Sequence, residues 1–243
     1  MSVSDSPANR APRSGVRLPR GLETVLVEAG AVLAPHHGAT VALSYGSAAG
    51  ELAGCLNGVG IAARSELTKL ELSAPADRLE RVLEALLDRP LLPAGILVSP
   101  AVGWFRLDDR RLVALCDPAH GERLRGRLEF WTMRDPSLTL RDRSDDWSAI
   151  AVLGGHVDEV LSELGVYGPS GDCRTVRPIT RTEGDPDTAW LLCGDGYALA
   201  LTPSASAATL WRRIAVVGRR WDMCAVGHEA LVRYRTLARA PRR

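Results

Sequence analysis

Residues 43–75, LSYGSAAGELAGCLNGVGIAARSELTKLELSAP, constrain the fold of this chain more than any other stretch. A short strand ends at Tyr45, and a helix is expected from Ala48 to about Leu56. A Gly-Val-Gly turn follows at Gly58 to Gly60, and then a strand from Leu67 to Leu72. Strand, helix, turn and strand in such close succession call for a layered architecture, in which a sheet and its helices share one core.

The rest of the chain repeats this grammar. Pro19 to Pro35 carries Leu22, Val25, Leu26, Val27, Ala31 and Val32, a helix-like pattern with a proline at each border. Pro75 opens a second helix with Leu79, Val82, Leu83, Leu86 and Leu87 on one face, and Pro90 ends it. Ile96 to Val98, Val102 to Leu107 and Leu112 to Leu115 read as strands, the last two joined in a hairpin by the charged turn Asp108-Asp109-Arg110-Arg111. Residues 118–132 form a third helix with Leu124, Leu128 and Trp131 on its face.

Further strands are expected at Leu138 to Leu140 and Ala149 to Leu153. A helix follows from Val157 to Leu164, with Gly165 as its C-cap. Pro178 to Arg181, Ala189 to Leu192 and Tyr197 to Leu201 alternate as strands, with Asp195-Gly196 as a tight turn between the last two. Ser204 is placed to cap a helix through Ala207, Leu210, Trp211 and Ile214, and a final helix covers residues 228–238. The expected fold is α+β: two similar subdomains, residues 21–136 and 137–243, with mostly antiparallel sheets and flanking helices, making one domain overall. Residues 1–20 are rich in Ser, Pro and Arg, and Pro7, Pro12, Gly15 and Pro19 would break an amphipathic helix, so a disordered tail is expected there.

Composition removes several classes of function. A formal net charge of +1 gives no electrostatic reason to expect nucleic acid or a membrane surface as a partner. No apolar run approaches the ~20 residues of a spanning helix. Cys55, Cys116, Cys173, Cys193 and Cys224 show no C-x-x-C, which argues against a disulfide framework or structural zinc and for the reducing cytoplasm. His36 and His37 are adjacent, so their rings point in different directions, and no metal is expected. No G-x-S-x-G, P-loop, H-E-x-x-H or EF-hand pattern is present. Ser170 lacks an identifiable base, and Cys193 beside Trp190 reads as a small buried hydrophobe.

With Tyr45, Glu51, Gly60 and Ser65 at their spacings, the opening stretch resembles the N-terminal core of the glycine-cleavage T-protein family, the aminomethyltransferases that bind tetrahydrofolate. Residues 143–164, 191–216 and 226–238 continue the resemblance in order, so that it covers roughly residues 36–238. The resemblance implies a folate-binding protein of one-carbon and amine metabolism, with tetrahydrofolate as cofactor and no metal. It places Tyr45, Trp104, Arg106, Asp195, Tyr197 and Arg235 around a folate or small-amine ligand.

Departures from the family pattern bear on the chemistry. The family holds an acid just before the strand ending in aromatic-Arg-Leu, where it stabilises positive charge on the folate nitrogen. Here Val98, Ser99, Pro100 and Ala101 precede Trp104-Phe105-Arg106-Leu107, and none is acidic. Asp195 stands where a Glu grips the pterin edge, one methylene shorter; Asp195-Gly196 also reads simply as a hairpin turn. Leu237 replaces a Glu after Arg235, while Leu56, Ala63 and Glu66 replace an Arg, an Asp and a His. The chain ends soon after the last helix, which implies a form without the family's C-terminal barrel. The resemblance therefore implies an aminomethyltransferase-like scaffold with degenerate catalysis. One alternative is a non-catalytic subunit like the gamma subunit of sarcosine oxidases, working with oxidase or demethylase subunits. Another is a pocket reused for a different substrate.

Overall fold

A computed structural model describes residues 18–87, 96–98, 102–166, 188–192 and 196–239. In chain order the elements are α1 (Arg20–Glu28), β1 (Val32–His36), β2 (Ala39–Ser44), α2 (Ala48–Asn57), β3 (Val59–Ala63), β4 (Thr68–Ser73), α3 (Ala76–Leu87), β5 (Ile96–Val98), β6 (Val102–Asp108) and β7 (Arg111–Cys116). They continue with α4 (Pro118–Arg134), β8 (Thr139–Asp142), β9 (Trp147–Gly154), α5 (Val157–Glu163), β10 (Ala189–Leu192), β11 (Tyr197–Pro203), α6 (Ala207–Gly218), β12 (Cys224–Ala225) and α7 (His228–Arg239).

The protein is a mixed α+β fold with mostly antiparallel sheets. One sheet runs β10-β11-β9-β3-β12 and the other β5-β6-β7-β4-β8, while β1 and β2 form a separate hairpin. The β12–β3 pair is parallel; the other described pairs are antiparallel. Strands cross between the halves: β3 lies beside β9, and β8 lies beside β4.

The two sheets stack face to face. Between them Ala62, Ala149, Ala151, Leu153, Leu199 and Leu201 of the first meet Phe105, Val113 and Leu115 of the second, and Ala230, Leu231 and Tyr234 of α7 close the layer. On the outer face of the first sheet, α1, α5 and α6 bury Leu22, Leu26, Val160, Trp211 and Ile214 against Ile61, Ile150 and Val152. On the outer face of the second, α3 and α4 bury Leu79, Leu83, Leu124 and Leu128 against Leu70, Leu72, Trp104 and Leu112. The layers are thus helix, sheet, sheet and helix, with strand alternation sending successive side chains to opposite layers.

The structure corrects the sequence reading at three places. The helix expected over residues 19–35 ends at Glu28; Gly30 has φ +92° and the chain turns into the β1–β2 hairpin. That hairpin turns at His37 and Gly38, with φ of 46° and 80°, a turn with positive φ at both central residues, which suits the twist of the flanking strands. Gly58 to Gly60 is more than a turn, because Val59–Ala63 is a strand of the first sheet. A side chain at Gly60 would meet the Cys55 sulfur and Val226, so only glycine lets α2 lie this close to the strand. Finally, Ser206 rather than Ser204 occupies the N-cap of α6. Ser204 instead donates its Oγ–H to the Asp145 carbonyl at 2.9 Å, tying the end of β11 to the start of β9.

Gly165, expected as a C-cap, does follow α5 with φ +78°. Most of the expected tail, the strand at Pro178 to Arg181, Ser170, Cys193 and the Asp195 side of the turn lie outside the described residues. Among the described residues, no helix is long and apolar enough to cross a membrane.

Candidate functional site

A connected set of polar side chains lies where the tip of the β1–β2 hairpin, the β3–β4 link and the starts of α4 and α7 come together. Arg64, directly after β3, is buried and donates from Nε to Glu66 Oε1 at 2.6 Å and from Nη2 to Asp117 Oδ1 at 3.1 Å. Burial opposes its charge, but Glu66 above all, with Tyr197 and Asp117, holds its pKa above the ordinary guanidinium value. Arg64 and Glu66 are both buried, whereas the Asp117 side chain is 46% exposed, which makes Asp117 the solvent-facing carboxylate of the pair.

The His36 and His228 rings lie 4.2 Å apart, centroid to centroid, and His37 meets His36 edge-on at 4.4 Å. Burial pushes the His228 pKa down, and His36 adds to the effect; Glu66, Arg64 and Asp117 are close enough to act on it as well. A neutral His228 imidazole offers one donor and one acceptor at neutral pH. Among the described residues no group of three His, Cys, Asp or Glu side chains is arranged to hold a metal.

Behind this cluster, β4 turns Leu70 and Leu72 toward α3 and α4, and Lys69 and Glu71 toward the other sheet. Lys69 Nζ donates to the carbonyls of Ser65 and Leu67, both at 2.8 Å, and Ser144 at 3.4 Å. Burial pushes its pKa down to about 8 despite the pull of Glu66, Asp142 and Asp145. The buried Ser65 Oγ has no hydrogen-bond partner among the described residues.

Of the six residues picked out by the sequence, the five described ones are spread over different faces of the fold. Tyr45 directly follows β2; its hydroxyl is buried without a hydrogen-bond partner among the described residues, and burial together with the Glu51 charge raises its pKa. Trp104 and Arg106 share one face of β6, the outer one: Trp104 packs in the α3–α4 layer, and Arg106 pairs with Glu80 of α3. The inward-facing neighbours are Phe105 and Leu107. Tyr197, at the start of β11, packs in the inter-sheet core within electrostatic reach of Arg64. Arg235 is half-buried on α7, and Asp195 lies outside the described residues.

Glu51 has a different job from a ligand contact. It is 7% exposed, and its carboxylate accepts from the backbone N–H of Tyr45 at 2.6 Å and of Gly227 at 2.7 Å. It therefore ties the end of β2 to the start of α7. Tyr234 makes a second tie: its hydroxyl accepts from Gly154 N–H at 3.1 Å and donates to the Gly196 carbonyl at 3.0 Å. Asp117 and His228 were missed by sequence reasoning; the acid at the N-cap position of α4, just before Pro118, was the one local signal for the first.

The architecture defines a class before any comparison: two stacked, mostly antiparallel sheets that share strands between halves, each covered by helices. Among solved structures, this fold matches the glycine cleavage system aminomethyltransferase T from Bartonella henselae, with a TM-score of 0.72 and 17% identity over 90% of this chain and 61% of that chain. The match thus spans about three-fifths of the aminomethyltransferase. It also matches a chain of the heterotetrameric sarcosine oxidase from Corynebacterium sp. U-96, in complex with pyrrole 2-carboxylate, with a TM-score of 0.52 and 15% identity over 74% of this chain and 94% of that chain. At these identities the likeness is one of fold. No family model and no curated protein matches the sequence.

Proposed function

We propose that this is a folate-binding-type protein of one-carbon and amine metabolism, aminomethyltransferase-like in scaffold and degenerate in catalysis. The observation that carries this reading is the fold shared with an aminomethyltransferase over 90% of the chain. The ligand is tetrahydrofolate or a small amine, bound without a metal. Tyr45, Tyr197, Arg235 and Asp195 are the residues that the resemblance implies for it. To these we add Asp117, whose half-exposed carboxylate can accept two hydrogen bonds from the amino and ring N–H groups of a pterin. His228 supplies a further polar edge. Trp104 and Arg106 support the sheet from its outer side through α3.

Titration with tetrahydrofolate, followed by tryptophan fluorescence, tests the reading. Saturable quenching is expected, weakened roughly tenfold in Asp117→Asn, since one charge-assisted contact is lost. No saturable quenching at about millimolar ligand refutes it.

A second reading, a non-catalytic subunit like the gamma subunit of sarcosine oxidases, draws on the match that covers 94% of one chain of such a heterotetramer. It predicts a stable complex with flavin-dependent oxidase or demethylase subunits, measured by co-purification of the co-expressed chains. A protein that stays free in their presence contradicts it.

A further inference from the structure

The outer surface of α4 carries a groove whose composition the fold does not require. Gly121, Leu124 and Leu128 are the face that α4 buries. Beside that face, Arg123, Gly126, Arg127, Phe130 and Trp131, together with Ala85 of α3, line an open groove of about 550 Å³. Phe130 is 45% exposed, and Met133 next to it is 77% exposed.

Two features of this groove, the Arg123–Arg127 pair and Gly126, work against the isolated chain. Arg123 and Arg127 are four residues apart on one helix, where like charges repel, and neither has an ion-pair partner among the described residues. Arg134 has no carboxylate partner among them either and lies over the Phe130 ring at 4.0 Å. Gly126 sits mid-helix, where glycine is unfavourable relative to alanine, yet a side chain there would meet nothing within 4 Å. No packing among the described residues calls for this glycine.

Unpaired guanidiniums beside the exposed Phe130 ring and the half-buried Trp131, with a bare backbone between them, fit an occupant that brings both negative charge and apolar bulk. We propose that the α3–α4 groove docks a segment of a partner protein, carrying carboxylates for Arg123 and Arg127 and an apolar side chain that seats over Gly126 against Phe130 and Trp131. The argument for this occupant is charge complementarity: the net charge of the whole chain is only +1, whereas this groove is lined by two arginines, Arg123 and Arg127, without a paired acid among the described residues. The groove lies on the helix layer outside the second sheet, so the inference is independent of any ligand at Asp117.

The full-length protein is used to select binders from displayed random peptides of about 16 residues. Enriched peptides are expected to hold at least two acids around an aromatic or aliphatic residue. Their affinity falls by roughly tenfold or more in Arg123→Glu/Arg127→Glu and in Gly126→Leu, which fills the seat. Gly126→Leu keeps or raises the melting temperature, which separates lost binding from lost folding. Arg111→Glu, at a residue paired with Asp108 outside the groove lining, leaves peptide binding unchanged. Binders that ignore the groove substitutions overturn the proposal. So does single-stranded oligothymidylate binding abolished by those substitutions, or self-association of the protein through the groove in sedimentation.

Discussion

Lys69 is the sole lysine of the chain and is fully buried, at 0% exposure. Lys69→Met keeps the length of the side chain and removes its charge and donors. In the folded protein, burial pushes the lysine pKa from 10.5 down to about 8. The folded pKa is the lower one, so between these values the unfolded chain binds more protons than the folded chain. Stability from this group therefore rises with pH across that window. Integrated between the two pKa values, the gain from about pH 8 to about pH 9 is about 1 kcal/mol.

Other groups titrate nearby with the opposite sign. Burial raises the Cys116 pKa from 9.0 to about 11, so its contribution to stability is lost as pH rises above the unfolded value. That contribution is common to wild type and variant and cancels in their difference. Urea unfolding followed by tryptophan fluorescence at the two pH values, at matched ionic strength, measures that difference. Lys69→Met is expected to be the less stable protein at both, because the Ser65 and Leu67 carbonyls lose their donors. Its deficit should widen by about 1 kcal/mol at the higher pH. Curves that stay parallel refute the reasoning, because they mean that Lys69 is not titrating against burial.

Glu51→Ala removes the acceptor of two backbone N–H groups and should cost about 3 kcal/mol in denaturant unfolding, with Glu51→Gln recovering part of it through its amide oxygen. Tyr234→Phe should cost about 1 kcal/mol, a smaller loss because Gly154 N–H keeps its 2.8 Å bond to the Gly196 carbonyl. Strand exchange through β3 and β8 predicts that residues 21–136 and 137–243 unfold together. Calorimetry should then give a single transition with equal calorimetric and van't Hoff enthalpies.

The elements legible in the sequence were those with a clear period and clear borders: α2 to α7, the β6–β7 hairpin, β4, β5, and β8 to β11. β1 was hidden because Val32 continued a helical spacing set by Val25 and Leu26, and the His37-Gly38 turn that joins it to β2 is only two residues long. β3 was hidden because Gly58 and Gly60 look like punctuation, whereas Gly60 makes room for the Cys55 side chain. The facing of β6 was out of reach for a different reason. Trp104, Phe105 and Arg106 are all buried, so burial does not alternate, and nothing local tells which side meets the other sheet. The candidate site was illegible because its residues, His36, Arg64, Glu66, Asp117 and His228, come from four separate segments.

This distribution changes what the family-like residues mean. Glu51 spends both carboxylate oxygens on backbone N–H groups, Gly60 is needed for close packing, and Tyr45 supplies one of the N–H groups that Glu51 holds. Each is required by the architecture whether or not a ligand binds, so a chain could keep all three while its chemistry drifts. The residues free to report on chemistry are those the fold does not consume, chiefly Asp117, whose carboxylate is half-exposed, and His228 beside it. A ligand therefore has to be sought with substitutions at these two positions, since the same experiment at Glu51 or Gly60 would measure folding instead.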